Sequence, residues 1–250
     1  MDRASPNSPP KAQRGPAAGD PIGAATLERL AAAPRFNAWM FERLAPWVGS
    51  SVIEVGSGIG NLSAFLVDRP RVVLTDTEPH YLDRLRERFA GRANVSVRRL
   101  YLPDVDGILH VAPFDTVVCL NVLEHVADDL GSLRAIRRLL TPGAGRLLLL
   151  VPALPALYGT LDVALGHHRR YTPRDLRAKF TAAGFRTVQL EYFNLAGIPG
   201  WWLTGRVLRH RLIPSASVAL FEALVPLFRL ERFLPWRIGQ SLIAIGEAVP

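Results

Sequence analysis

Two acids bracket a glycine-rich turn early in the chain. Glu54 lies in the β-branched run Ser51-Val52-Ile53-Glu54-Val55, and glycines follow at 56, 58 and 60. Asp76 closes a second β-rich run, residues 71–75, sixteen positions after Gly60. Glycines at alternate positions between a strand and a helix let backbone N–H groups approach a ligand that a Cβ would hold away. The Asp76 carboxylate is a two-oxygen acceptor matched to both hydroxyls of a ribose. It can instead cap a helix opening at Pro79, as Thr77 or Glu78 can. Two histidines offer a second chemistry. His125 follows an apolar run, and His167 lies in Gly166-His167-His168-Arg169-Arg170-Tyr171-Thr172. A neutral imidazole can take a proton from a hydroxyl near pH 7. Equally, His125 can tie down a loop, and His167 can be a structural residue in a loop fixed by Arg169 and Tyr171.

The spacing Glu54-x-Gly56-x-Gly58-x-Gly60 is neither the dinucleotide pattern G-x-G-x-x-G nor a phosphate loop ending in Lys-Ser/Thr. It resembles the first motif of class I S-adenosylmethionine-dependent methyltransferases. Asp115-Thr116-Val117-Val118-Cys119-Leu120-Asn121-Val122-Leu123-Glu124-His125-Val126 resembles that family's fourth motif and its flank. His167-x-Arg169-x-Tyr171-Thr172 is similar to a stretch before a helix in ubiquinone-type and natural-product methyltransferases.

The resemblance implies S-adenosylmethionine as cofactor, held by Glu54, Gly56, Ser57, Gly58, Gly60, Asn61, Asp76, Thr77, Tyr101, Leu120, Asn121 and His125. Glu54 would lie near the methionine ammonium, and the backbone of Leu120 and Asn121 beside the methyl donor. Where relatives carry an acid for the adenine amino group, this chain has Tyr101. Tyr101 could stack on the ring, or Asp104 could reach it. On the acceptor side the resemblance implies His167, Arg169 and Tyr171, with His167 or His125 as the catalytic base; the loop after the fifth strand and the later insertion are expected to wall a large apolar pocket with Tyr158, Phe193 and Trp201. The implied reaction moves a methyl group onto oxygen, or less readily nitrogen or carbon, of a small-molecule or lipid-linked acceptor such as a saccharide or quinone. A base is dispensable where alignment of the nucleophile supplies the acceleration. A non-catalytic cofactor-binding protein could keep the same motifs. No metal is expected, since no His/Asp/Glu cluster has ligand spacing on one element.

These groups need strands that end together. β-rich runs at 51–55, 71–75, 95–99, 114–120, 146–151, 185–192 and 241–248 alternate with helical stretches. The helical stretches are 24–33, 35–45, a start at 62–67, 79–90, 128–140 and 172–183. That order predicts a doubly wound, Rossmann-like α/β sheet of seven strands, the last antiparallel by resemblance, with ligands at the C-terminal strand ends. Phe36, Trp39, Met40 and Leu44 could line one helix face. By resemblance that helix covers the cofactor; otherwise it is plain core.

Residues 195–239 interrupt the expected hairpin of the last two strands with a helical insertion punctuated by Pro199, Pro214, Pro226 and Pro235. Trp201 and Trp202 stand beside Arg206, Arg209 and Arg211. This pattern suits a lid over the acceptor site, or an interfacial helix on an anionic membrane. As a lid it is expected to fold back over the 151–171 loop.

The 250 residues carry a formal charge of +8, with Arg supplying 28 of 30 basic residues. Heavy Arg usage permits an anionic partner without naming one. No basic block is interleaved with stacking aromatics, so a nucleic-acid partner is not expected. Cys119 is the single cysteine, which rules out disulfides within the chain and a Cys-based zinc site. Residues 1–22 read as a disordered tail and 23–250 as the methyltransferase domain. The expected compartment is the cytoplasm, with the inner face of the membrane as the alternative.

Overall fold

The computed structural model describes residues 21–233 and 237–250; the expected tail up to residue 20, and Pro235, lie outside them. The chain opens with α1 (Pro21–Ala31) and α2 (Pro34–Leu44), split by Pro34, which takes the first helical position of α2. Residues 21 and 22, expected in the tail, already belong to α1.

The strands are β1 (Ser51–Val55), β2 (Arg71–Asp76), β3 (Val95–Arg99), β4 (Thr116–Leu120), β5 (Arg146–Pro152), β6 (Phe185–Phe193) and β7 (Ser241–Ala248). The connecting helices are α3 (Pro79–Arg88), α4 (Asp129–Leu139), α5 (Thr160–Ala164), α6 (Pro173–Ala182), α7 (Gly197–Trp202) and α8 (Ser215–Phe228). Caps expected from the sequence are made: Asp128 accepts the Gly131 amide at 2.8 Å, and Thr172 accepts the Asp175 amide at 3.1 Å.

One expected helix is missing. Where residues 62–67 should begin one, the chain makes only a 3-10 turn, Ser63–Phe65. Pro70 and the start of β2 at Arg71 leave too little chain for a sustained helix. Phe114, expected inside the fourth strand, makes only an isolated bridge with Leu140.

The sheet order is β3-β2-β1-β4-β5-β7-β6. All neighbours are parallel except β7, which runs antiparallel to both β5 and β6. The order reverses between β1 and β4, which places a ligand outside the C-terminal ends of those two strands. Side chains alternate to two buried layers. Ile53, Val73, Val117, Leu147 and Leu149 enter one core, and Val52, Val72, Val118, Leu148 and Leu150 the other. Cys119 is free and fully buried, and burial pushes its thiol pKa up.

The insertion does two things. α8 lies against α2 over the second core, where Val225 is buried and Phe221 sits 5.5 Å from Phe36, edge to face. Its earlier part packs on α5, with the Thr160 hydroxyl donating to the Gly205 carbonyl at 2.9 Å. So only this earlier part folds back over the β5 loop. Asn194 and Glu231 clasp the two ends. Asn194 donates to Gln240 Oε1 at 3.0 Å, and Glu231 accepts the amides of Asn194 and Leu195 at 2.9 and 2.7 Å.

Candidate functional site

The β1 turn is built from backbone. Gly56, Gly58 and Gly60 all adopt left-handed φ, at +73°, +53° and +83°. A Cβ at Gly56 would stand 2.3 Å from Val122 Cγ2, so the β4 loop closes directly on this turn. The Gly58 amide donates to Asp76 Oδ2 at 2.8 Å, and the amides of Thr77 and Glu78 donate to Asp76 Oδ1 at 2.8 and 3.1 Å. Ser57 donates its amide to the Thr75 carbonyl at 2.8 Å, which sews the turn to β2.

Asp76 is therefore first a clamp. A carboxylate offers about four lone-pair positions, and three are taken here. Room for about one hydroxyl remains, on Oδ2, rather than for both hydroxyls of a ribose. Burial raises the Asp76 pKa, against the opposing pull of its amide donors. Glu54 is buried more deeply, accepts from the Ser63 hydroxyl, and is also pushed up by burial.

The helix over this turn is α1 and not, as the resemblance implied, α2. Leu27 Cδ1 lies 3.0 Å from where a Cβ of Gly58 would stand, and Asn61 donates to the Leu27 carbonyl at 3.0 Å. Trp39 and Met40 of α2 are core, with Trp39 4.5 Å from Phe193. At the position expected to meet the adenine, Tyr101 is 40% exposed, with the Arg99 guanidinium 4.7 Å from its ring centroid. Its hydroxyl reaches Arg99 and the Thr77 carbonyl. Asp104 accepts the Asp106 amide inside its own turn. Leu120 ends β4, and Asn121 is exposed in the left-handed region at φ 55°, its amide held by the Leu150 carbonyl at 2.8 Å.

The second half of the site is made of buried side chains. Asp162 on α5 is fully buried and takes four hydrogen bonds. Its Oδ1 meets His167 Nδ1 at 3.0 Å and accepts from Arg170 Nε at 2.8 Å. Its Oδ2 accepts from the Gly159 amide at 3.0 Å and Trp201 Nε1 at 3.2 Å. Burial raises the Asp162 pKa, but the donors outweigh it and hold the carboxyl below its usual range. Opposite an anion, a neutral imidazole carries its hydrogen on Nδ1, which leaves Nε2 of His167 as an acceptor.

His125 faces His167 edge-on, with ring centroids 4.7 Å apart. Its side chain is solvent-exposed, yet protein atoms crowd around the ring. That desolvation, with His167 and His168 nearby, pushes its pKa down to about 3. Glu124 is fully buried, neither carboxyl oxygen has a hydrogen-bond partner among the described residues, and burial lifts its pKa to about 8. Ligand-type atoms of Glu124, His125 and His167 lie within 4.8 Å of one another, a set that could hold a metal ion. No spacing on one element showed this, because two loops supply it.

The structure sorts the expected acceptor residues. His167, Tyr158 and Trp201 come together: the Tyr158 hydroxyl donates to the His167 carbonyl at 2.6 Å, and Arg170 lies 4.8 Å from the Trp201 ring centroid. Arg169, Tyr171 and Phe193 do not join them. Arg169 is spent on Asp129 at 2.8 Å and on the carbonyls of Val126 and Ala127. Tyr171 is fully buried with its hydroxyl on Asp129, and Phe193 packs between Phe36 and Trp39 in the second core. The sequence reading missed Asp162, Arg170, Glu124 and Leu27 as site residues. Glu124 was visible beside His125; the others have no signature spacing.

Residues 53–146 match a family described as a methyltransferase domain. The ubiquinone biosynthesis O-methyltransferase of Xanthomonas campestris pv. campestris is 27% identical over 161 residues, 60% of this chain and 66% of that protein. The chain thus spans just under two thirds of the length of that curated relative. A tRNA U34 carboxymethyltransferase of Trichodesmium erythraeum is 28% identical over 141 residues, 53% of this chain and 41% of that one. Among solved structures, the Haloferax volcanii complex between the Trm112 methyltransferase activator and a methyltransferase has a chain that superposes with TM-score 0.63 at 17% identity. The match covers 93% of this chain and 99% of that one. An S-adenosylmethionine-dependent methyltransferase of Mesorhizobium loti gives 0.57 at 14% identity, covering 87% and 99%. At such identities the likeness is one of fold. Sheet order and glycine turn define the class, the Rossmann-like methyltransferases. With the sequence match over residues 53–146, which spans the strands that build the turn, the chain carries a methyltransferase domain and resembles the class I S-adenosylmethionine-dependent methyltransferases.

The residues fit that family's cofactor, S-adenosylmethionine. The left-handed glycine turn admits no side chain at Gly56, Glu54 and Asp76 present acid at adjoining strand ends, and Asp76 keeps one open acceptor position.

Proposed function

We propose that this chain transfers a methyl group from S-adenosylmethionine to a hydroxyl oxygen of a small-molecule acceptor, with His167 as the base. The observation that carries this reading is the Asp162–His167 pair. It is an imidazole anchored through Nδ1 to a buried anion, on the loop after β5, beside the β4 loop that abuts the glycine turn. The cofactor would rest on Gly56, Ser57, Gly58, Gly60 and Asn61, with Asp76 toward the ribose, and Thr77, Tyr101, Leu120 and Asn121 around it. Bound there, it supplies an electrophilic methyl on a sulfonium and leaves as S-adenosylhomocysteine.

His167 Nε2 accepts the acceptor's hydroxyl proton as that oxygen bonds to the methyl carbon. Asp162 fixes the ring's tautomer and stabilises the imidazolium that results. His125, held neutral well below pH 7, adds no competing charge beside it. Tyr158 and Trp201 hold the loop and wall the acceptor's side, with the early part of the 195–239 insertion as a lid. A lipid-linked acceptor is the second reading, favoured by the apolar surface that this insertion exposes.

The test is incubation of the purified chain with isotopically labelled methyl donor and fractionated cell extract, read by mass spectrometry. Label on a hydroxyl of a small or lipid-extractable molecule is the expected result. Label in the RNA or protein fraction overturns the acceptor class, and no transfer to any fraction despite cofactor binding overturns catalysis.

A further inference from the structure

We infer that the described residues of the 202–238 part of the insertion dock on the surface of an anionic lipid bilayer. The apolar side chains of this segment face two ways. Phe221, Val225 and Phe228 of α8 turn inward onto α2 and the second core. Leu220, Leu224 and Leu227, with the same i, i+4, i+7 spacing, are 63%, 38% and 60% exposed. A helix that is apolar on its outer face as well is at home in a protein core or in lipid, and α8 is not in the core on that side. Trp202, Leu208 and Phe233 continue the exposure, at 51%, 52% and 68%. Such a concentration of exposed apolar surface marks an interaction site.

The charges around it choose the partner. Between residues 202 and 238 stand six arginines and only two acids. Both acids are committed within the chain: Glu222 accepts the amides of Arg35 and Phe36 at the start of α2, and Glu231 clasps the insertion's ends. Arg206, Arg209, Arg211, Arg232 and Arg237 are exposed, with no carboxylate partner among the described residues. Cations beside exposed leucines and a tryptophan, with no free anion, complement anionic headgroups over a hydrocarbon layer.

A second copy of the chain fits less well. A two-fold interface would bring the same arginines face to face with no acid to answer them. Residues 1–20 hold no leucine, isoleucine, valine or aromatic with which to cover the patch. No helix among the described residues is long and apolar enough to cross a membrane, so the contact is with the surface. The inference is independent of the methyl acceptor, and its test needs no turnover.

The test is co-sedimentation of the full chain with phosphatidylglycerol/phosphatidylcholine vesicles and with phosphatidylcholine vesicles alone. The chain is expected to bind the anionic vesicles, release at high salt, and leave the neutral ones. Leu220→Asp with Leu227→Asp should weaken binding about tenfold or more, while thermal unfolding and cofactor binding stay unchanged because both side chains face outward. Should that pair fail to fold, Arg206→Glu with Arg211→Glu should weaken anionic binding by a similar factor. Equal binding to neutral vesicles, or no binding to either, overturns the inference. So does a chain that sediments as a dimer in solution and becomes monomeric in the leucine variant.

Discussion

The two halves of the site are held by different forces. Around β1 and β2 the restraints are backbone: three left-handed glycines, and amides pointing at the Asp76 carboxylate. Around the β5 loop they are side chains, with Asp162, Arg170, Glu124 and His167 buried together. The first half tolerates little change of shape and the second little change of charge. A turn that must lie against a ligand is specified by conformation. A proton acceptor is specified by the polarity of what surrounds it.

The comparison breaks first at Asp162. Asp162→Ala removes four hydrogen bonds and strands the buried Arg170 guanidinium. Stability should fall by about 3–5 kcal/mol, read by urea denaturation. A loss under about 1 kcal/mol would show that the network is no keystone of its half.

Next comes His167→Ala, expected to lower turnover about a hundredfold with cofactor affinity intact. A higher acceptor KM at unchanged kcat would make His167 a positioning residue instead.

In the other half, Asp76→Ala should weaken S-adenosylmethionine binding by about 1–3 kcal/mol in calorimetric titration. Because the carboxylate also clamps the turn, the same variant should lose thermal stability. Weaker binding with unchanged Tm would assign Asp76 to the ligand alone.

Glu124 sharpens the contrast through pH. Burial raises its folded pKa from 4.5 to about 8, so between those values the folded chain holds a proton that the unfolded chain has released. Its contribution to stability is full below about pH 4.5 and falls as pH rises toward 8, by at most about 1.4 kcal/mol per pH unit. Glu124→Gln removes the titration, so the Tm difference, variant minus wild type, should grow from pH 5 to pH 8. A constant difference would show that Glu124 does not titrate there. The smallest effect expected is none at all: dialysis against a chelator should leave methyl transfer unchanged. Activity lost and restored by a divalent ion would make Glu124, His125 and His167 a metal site.

The glycine turn was readable because its chemistry is local. Alternating glycines, the acid at each strand end and the β-branched runs all lie within 30 residues, and a strand–turn–helix unit needs no distant partner to show its pattern. The seven strands were legible for the same reason, and 241–248 was read to the residue. The apparent helix at 62–67 failed because Pro70 and β2 decide where the chain must turn.

The order of strands and helices, the glycine turn and the family likeness follow from spacings short enough to constrain the backbone directly. The folded packing is what sets Leu27 and not α2 over Gly58, anchors His167 on Asp162, buries Tyr171 and Phe193 in the core, and turns particular leucines of α8 outward. Those outcomes depend on burial and on contacts between segments remote in the chain, and neither leaves a period or a spacing in the sequence.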